Sequence, residues 1–267
     1  MKANAAPANA PVLFEVREGI ARITLNRPHR ANGVDLELAE ALMAAALRCE
    51  RDPSVRVVLL RGAGDTFSAG GDLKDFVDRT DLPAYLRNVT FHLHAAISRF
   101  AVMDPPVVAA VHGSAAGGGY SLALACDIVL AAESAKFVSA YTKIGLVPDG
   151  GSTYTVPRLV GMRRALELAL LNCPLSAREA LDWGLITRVV PDTELFRVAD
   201  ELAAQLASGP TQAFGRTKRL LHGTWRESFE SQMELESRAI SEMSASADGK
   251  EGIRAFVEKR PAKFLGK

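Results

Sequence analysis

Three consecutive glycines at the start of a predicted helix are the first feature of this sequence that points to chemistry. Gly117-Gly118-Gly119 follow the apolar run Val107–Val111 and lead into a Leu/Ala-rich segment typical of a helix. Glycine costs about 1 kcal/mol relative to alanine inside a helix, so three in a row need a reason. Either a neighbouring element packs too closely for side chains, or the unpaired N–H groups at the helix N-terminus hold an oxyanion.

A second glycine turn follows another predicted strand. Residues 55–60 form an apolar run, and Ala69-Gly70-Gly71 comes shortly after it. Two strands that each end in a glycine turn can offer two backbone N–H donors to one oxygen. The second turn therefore favours the hypothesis of a two-donor oxyanion hole.

One carboxyl stands in a third stretch of small residues, 145–151. Asp149 lies between Pro148 and Gly150, where an aspartate often caps the helix that follows. The alternative is that Asp149 is an acid or base beside the bound oxygen. The residues alone leave both interpretations open.

The elements that must position these residues follow from periodicity. Alternation predicts strands over residues 12–16 and 20–25, and a helical period predicts a helix over 36–48 before the strand at 55–60. Residues 107–124 begin a similar unit. The pattern therefore predicts an α/β fold.

From residue 192 the pattern changes to amphipathic helices, over 192–207, 211–222 and 225–244. Their apolar faces must be buried against the main body or another subunit. We therefore divide the chain into a disordered Ala/Pro-rich leader (1–11), a core (12–191) and a C-terminal helical region (192–267).

Composition excludes several classes of protein. Among 267 residues 48% are hydrophobic, and the net charge of +1 gives no footprint for nucleic acid or an anionic membrane. No apolar run approaches the roughly 20 residues of a membrane span. The three cysteines have no metal or redox spacing, which predicts reduced thiols in a cytoplasmic protein. His92 and His94 lack a third partner, so no metal site is expected.

Residues 67–74, 107–127 and 145–151 together resemble the crotonase superfamily of enoyl-CoA hydratases and isomerases. The resemblance runs from about Phe14 to the C-terminus. It implies a crotonase-like spiral of ββα units with a C-terminal helical oligomerisation region, giving a homotrimer or a dimer of trimers. It also implies a coenzyme A thioester as substrate and no cofactor.

The resemblance assigns the thioester oxygen to the N–H groups of Gly71 and Gly118. Hydratases of the superfamily use two glutamates, whose positions are matched here by Ser121 and Thr142, and neither side chain can replace a carboxylate. Asp149 matches the catalytic aspartate of the phenylacetate-pathway isomerases. The sequence therefore predicts isomerisation, with hydration by a non-standard site or an inactive acyl-CoA binder as alternatives.

A further alternative is similar to the 4-chlorobenzoyl-CoA dehalogenases. There Asp149 would match the nucleophile and His94 the catalytic histidine, while Tyr141 stands in place of a tryptophan. The missing tryptophan, and Gly71 where those enzymes carry an aromatic residue, rank this reaction below isomerisation.

The resemblance also implies contacts with coenzyme A. Arg27, Ser68 and Ala69 match positions along the nucleotide and pantetheine. Phe256 and Lys259 match a pair that reaches the coenzyme A of a neighbouring subunit.

Overall fold

The computed structural model describes residues 9–267, so the predicted leader lies outside the described residues except for its last three positions. Within this part of the chain the strands are β1 (Val12–Arg17), β2 (Ile20–Leu25), β3 (Val57–Gly62), β4 (Val107–Val111), β5 (Ser114–Ala116), β6 (Ile128–Ala132), β7 (Lys136–Val138), β8 (Leu175–Ser176) and β9 (Arg188–Val190). The helices are α1 (Leu36–Arg51), α2 (Leu73–Phe76), α3 (Leu82–Val102), α4 (Gly118–Leu124), α5 (Ser152–Leu171), α6 (Ala177–Asp182), α7 (Leu195–Ala207), α8 (Thr211–Gly223), α9 (Phe229–Ala245) and α10 (Ala247–Val257).

The strands form two sheets. The main sheet has the order β1-β2-β3-β4-β6-β9, parallel except for the β1–β2 hairpin, and the small sheet has the order β5-β7-β8. Two successive turns of the chain, β4-β5-α4 and β6-β7-α5, each place a strand in the main sheet, then a strand in the small sheet, then a helix. The predicted α/β class, built from ββα units, is confirmed.

The core lies around the middle of the main sheet. All five residues of β4 are buried, as expected for a parallel strand covered on both faces. Helix α7 adds Leu195, Ala199 and Ala203 to this core. The first helix after residue 191 therefore packs with the sheet.

Helix α8 is tied to the body by a buried charge. The Nζ atom of Lys218 lies 2.7 Å from Oδ2 of Asp127 and donates to the carbonyl oxygens of Phe100 at 2.9 Å and Pro105 at 3.2 Å. Burial raises the pKa of the Asp127 carboxyl, and the charge of Lys218 works against that shift. The ion pair fixes α8 over the ends of α3 and β4.

Helix α9 is different, because none of its residues is buried. Phe229 and Ile240 expose about three quarters of their surface. A subunit contact through this region stays a prediction. None of the helices in residues 9–267 is long and apolar enough to cross a bilayer.

Candidate active site

The glycine turns and Asp149 border one cavity. Its volume is about 340 Å³. The wall contains Gly71 and Gly118, the side chains of Tyr141, Lys143 and Asp149, and an apolar surface made by Val34, Leu73, Phe76, Leu86, Val89, Leu93, Ile144, Leu146 and Val147. Asp149 is its one carboxyl among the residues that the structure describes.

The first N–H donor lies at the start of α4. Gly117 takes a φ of 48°, which strongly favours glycine, and Gly118 is the first residue of the helix. The N–H of Gly118 has no acceptor within residues 9–267, as expected at a helix N-terminus. A Cβ atom at Gly70 would lie 2.7 Å from the Ala116 carbonyl oxygen and 3.0 Å from the Gly118 nitrogen. Close packing therefore explains Gly70, and Gly118 keeps its donor free.

The second donor is the N–H of Gly71, which lies in an isolated β-bridge to Val34. Val34 donates to the carbonyl of Gly70 at 2.7 Å, and Asp72 donates to the carbonyl of Val34 at 3.0 Å. This pattern skips Gly71, whose N–H has no acceptor in the described part of the chain. A Cβ atom on Gly71 would lie 2.6 Å from the Phe76 ring, so the ring occupies the space beside this residue.

One oxygen of the Asp149 carboxyl accepts a hydrogen bond from Tyr141, which in turn contacts Ser121. The hydroxyl of Tyr141 donates to Oδ1, and Ser121 Oγ lies 3.0 Å from the same hydroxyl. Burial raises the pKa of Tyr141, and the negative charge of Asp149 raises it further. Tyr141 therefore acts as a hydrogen-bond donor toward the carboxyl.

His94 on α3 approaches the other carboxyl oxygen. Its Nε2 atom lies 3.3 Å from Oδ2 of Asp149 and accepts a hydrogen bond from the Gly150 N–H at 3.0 Å. The three candidates Asp149, His94 and Tyr141 thus meet at one point. The capping interpretation of Asp149 is wrong, because its carboxyl makes no hydrogen bond to the first turn of α5.

The hydroxyl of Thr142 is occupied by contacts with the end of α5. Its hydroxyl donates to the carbonyl of Ala169 at 2.6 Å and accepts from Asn172 at 2.7 Å, so it faces α5. Tyr141, one residue earlier, stands opposite Ser121 instead. Of these two neighbours, Tyr141 contacts Ser121 and Thr142 contacts α5.

Comparison with known proteins matches residues 15–267 to the family described as Enoyl-CoA hydratase/isomerase. The chain is 42% identical to 1,2-epoxyphenylacetyl-CoA isomerase of Escherichia coli strain K12, across 96% of this chain and 98% of that protein. The chain belongs to the enoyl-CoA hydratase/isomerase family of the crotonase superfamily.

Two further relatives show how wide this family is. The chain is 35% identical to 4-chlorobenzoyl coenzyme A dehalogenase-2 of an Arthrobacter species, across 86% of this chain and 84% of that protein. The crystal structure of enoyl-CoA hydratase from Bacillus anthracis matches with a TM-score of 0.90 at 32% identity, covering 96% of this chain and 100% of that one. Three named reactions thus share the crotonase fold, and membership alone does not choose among them.

The three residues expected along coenzyme A differ in solvent exposure and in their side-chain contacts. Arg27 is held by Asp35, with Nη1 2.7 Å from Oδ2, and by Asp72, with Nη2 3.3 Å from Oδ2. Ser68 is fully buried, and its hydroxyl donates to the Asn32 carbonyl. The Ser68 hydroxyl therefore holds the loop, and a contact between this residue and coenzyme A stays a prediction. Ala69 is exposed and lines the cavity.

The tail residues Phe256 and Lys259 lie away from this cavity. Phe256 is 87% exposed at the end of α10, and Lys259 follows with a φ of 54°. Neither lines the cavity of its own chain. Their contact with the coenzyme A of a neighbouring subunit stays a prediction.

The histidines of α3 have separate surroundings. His92 contacts the sulfur of Met43 at 3.4 Å and lies 3.6 Å from Glu40, whereas His94 meets Asp149. Within residues 9–267 no group of three His, Cys, Asp or Glu side chains is arranged to hold a metal ion.

Sequence reasoning missed Phe76, which sits on the one-turn helix α2. The Asp72 carboxylate caps this helix by accepting from the N–H of Asp75. An aspartate followed by apolar residues at Leu73 and Phe76 is a helix-start signal that was available in the sequence. The Phe76 ring packs edge-on against Tyr85, with ring centroids 6.1 Å apart.

Proposed function

We propose that this crotonase-family protein isomerises an acyl-CoA thioester by moving a hydrogen between two carbons of the acyl chain. The observation that carries the proposal is the composition of the cavity wall. Among the residues that the structure describes, two N–H groups without acceptors and a single carboxyl border it. That set supports a proton shuttle beside a stabilised oxyanion.

The proposed reaction has two proton transfers. The Asp149 carboxylate removes a proton from a carbon conjugated with the thioester. The electron pair of that C–H bond is delocalised onto the thioester oxygen. The N–H groups of Gly71 and Gly118 stabilise this negative oxygen, and a pair of this kind typically contributes about 3 kcal/mol per donor. Asp149 then returns the hydrogen to a second carbon, and the electrons re-form the carbonyl with a shifted double bond.

The side chains beside Asp149 disfavour the hydratase alternative. Ser121 and Tyr141 hydrogen-bond to each other there, and neither can act as a carboxylate base. The pKa of Tyr141 is raised, so its phenolate is harder to form than that of a free tyrosine. Neither Ser121 nor Tyr141 would then activate water for hydration.

We also propose that the acyl group is apolar. Most of the cavity wall is aliphatic, with the Phe76 ring at one side. The hydroxyl of Thr90, which lies in this wall, donates to the carbonyl of Leu86 in its own helix. An acyl chain or ring without polar substituents therefore fits the aliphatic part of this wall.

Turnover with a panel of 2-enoyl- and 3-enoyl-CoA esters in deuterated water tests the proposal. We expect wild-type protein to shift the double bond, and Asp149→Asn to lose at least about 100-fold in kcat. Asp182→Asn, an exposed carboxyl on α6, is the matched control and should retain activity. An Asp149→Asn variant within a few-fold of wild type would contradict the role of this residue.

The same panel separates the alternatives. Steady release of 3-hydroxyacyl-CoA from a 2-enoyl-CoA would indicate a hydratase. Binding of the esters without deuterium exchange at the α or γ carbon would indicate an inactive acyl-CoA binder.

A second candidate is substitution on an aromatic ring, favoured by the contact between His94 and Asp149 and by the Tyr141 hydrogen bond. The Asp149 carboxylate would displace chloride from a 4-chlorobenzoyl-CoA ring and form an aryl ester. Water, activated by His94, would then cleave the ester to the phenol and regenerate the carboxylate. Chloride release from 4-chlorobenzoyl-CoA, lost in Asp149→Asn, would establish this reaction.

We propose a homotrimer or a dimer of trimers as the assembly. The exposed apolar residues Phe229 and Ile240 on α9 support a subunit contact. Mass measurement in solution tests this, and a monomer at micromolar concentration would contradict it.

A further inference from the structure

The hydrogen bond from Gly150 fixes the state of His94. The Gly150 N–H donates to Nε2 at 3.0 Å, and an atom that accepts a hydrogen bond must present a lone pair. A neutral imidazole with its hydrogen on Nδ1 meets this requirement, whereas a ring with hydrogen on Nε2 does not. Which nitrogen of a histidine carries hydrogen is set by such a partner.

This lone pair also faces Asp149. Nε2 lies 3.3 Å from Oδ2, so two lone-pair atoms approach each other unless one of them carries hydrogen. Because the Gly150 N–H requires an unprotonated Nε2, the contact between Nε2 and Oδ2 is a hydrogen bond only when Oδ2 carries a proton. The Oδ2–H group and the Gly150 N–H then share the single lone pair of Nε2.

The other oxygen of the carboxyl is occupied. Tyr141 donates to Oδ1, which leaves Oδ2 as the atom that can carry hydrogen without displacing this bond. A donor at one oxygen and an acceptor near the other are the partners that a neutral carboxyl requires.

We propose that His94 is a positioning residue for the isomerisation, which rests on the function proposed above. When Asp149 takes hydrogen from the substrate carbon, Nε2 of His94 accepts a hydrogen bond from the new O–H group and so stabilises this form until the hydrogen returns to carbon. The electron pair of the broken C–H bond has meanwhile moved onto the thioester oxygen. The negative charge therefore lies on that oxygen while the proton lies on Asp149. His94 acts through Asp149, because it does not itself line the cavity.

Substitutions that change donor and acceptor character at residue 94 test this role. In His94→Gln the side-chain amide can present a carbonyl oxygen to both Gly150 and Asp149, so kcat should stay within about tenfold of wild type. His94→Leu offers no acceptor and should lower kcat by about 100-fold with KM little changed. His94→Lys places a cationic donor beside the carboxylate and should be at least as slow as His94→Leu.

The order of the kcat values of these variants distinguishes a positioning role of His94 from a packing role. The His94 side chain is 47% exposed, so all three variants are expected to fold, and their melting temperatures check this. Equal kcat values for His94→Leu and His94→Gln would overturn the proposed role.

A second measurement does not depend on turnover. Nitrogen-15 NMR of the imidazole rings, with the signal of residue 94 assigned by its loss in His94→Gln, should show hydrogen on Nδ1 and a bare Nε2 near neutral pH. Hydrogen on Nε2, in either the neutral or the doubly protonated ring, would overturn the role of His94 alone. Absence of any double-bond shift in wild-type protein would overturn the proposed function and, with it, this role.

Discussion

Tyr141 donates its phenol hydrogen to Oδ1 of Asp149, and Ser121 Oγ lies 3.0 Å from the same phenol oxygen. Tyr141→Phe removes this donor without changing the shape of the ring. Because hydrogen bonds to charged groups contribute about 1.5–3 kcal/mol, we expect kcat for the double-bond shift to fall by about 10- to 100-fold. Steady-state kinetics measure this, with Ser121→Ala, which leaves the Tyr141–Asp149 bond in place, as the comparison. A Tyr141→Phe variant as fast as wild type would show that the bond does not matter in turnover.

The raised pKa of Tyr141 predicts how the protein behaves in alkali. Burial and the charge of Asp149 both disfavour the phenolate, so the hydroxyl keeps its hydrogen at about pH 10, where a free tyrosine is half ionised. Ultraviolet titration of wild type and Tyr141→Phe should therefore show the same number of tyrosines ionising up to about pH 10. One fewer ionising tyrosine in the variant would contradict the shift.

The N–H of Gly118 can be removed without removing the helix start. Proline is tolerated at the first position of a helix, so Gly118→Pro deletes the donor where the backbone allows it. We expect kcat to fall by about 100- to 1000-fold, as for other losses of an oxyanion-hole donor. Gly118→Ala keeps the N–H, and its Cβ would meet Leu93 at an ordinary 3.8 Å, so it should stay within a few-fold of wild type. Similar losses in both variants would indicate a steric effect instead.

Phe76 is expected to limit the size of the acyl group. Its ring lines the cavity and fills the space beside Gly71. Phe76→Ala should raise kcat/KM for a bulky acyl group relative to a short one by about tenfold or more. Phe91→Ala, which removes an exposed phenylalanine from α3, is the control and should leave this ratio unchanged. An unchanged ratio in Phe76→Ala would mean that the acyl group lies elsewhere in the cavity.

The buried ion pair under α8 predicts a large effect on stability. Lys218→Met leaves Asp127 without its cation and two carbonyl groups without a donor, so we expect a loss of about 3 kcal/mol in the free energy of unfolding. The double variant Lys218→Met/Asp127→Asn should recover part of it, because no uncompensated charge remains. Urea unfolding measures both. A single variant as stable as wild type would show that the pair contributes nothing net.

Those parts of the fold that depend on local pattern were predictable from the sequence. Strand β4 and the glycine-rich start of α4 have unmistakable composition, and Ser176 with Glu179 forms the capping box that its spacing indicates. The glycine turns were also predicted to supply two donors. Within residues 9–267 their N–H groups have no acceptor, because one lies at a helix N-terminus and the other is not used by the bridge to Val34.

Tertiary contacts account for what the sequence could not predict. Nothing local indicates that Phe76 fills the space beside Gly71, or that Ser68 turns its hydroxyl inward to Asn32. The capping interpretation of Asp149 failed for the same reason, since its partners lie 8 and 55 residues away in the chain. Local sequence patterns predict where a turn or helix begins, whereas contacts between distant residues determine the orientation of the side chains in it.

Thr142 and Asn172 couple the end of α5 to the residue next to Tyr141. A change at either of these positions, neither of which lines the cavity, would tilt the phenol of Tyr141. Directed evolution toward a new acyl-CoA reaction should therefore recover adaptive substitutions along α5, far from the bond that is made or broken.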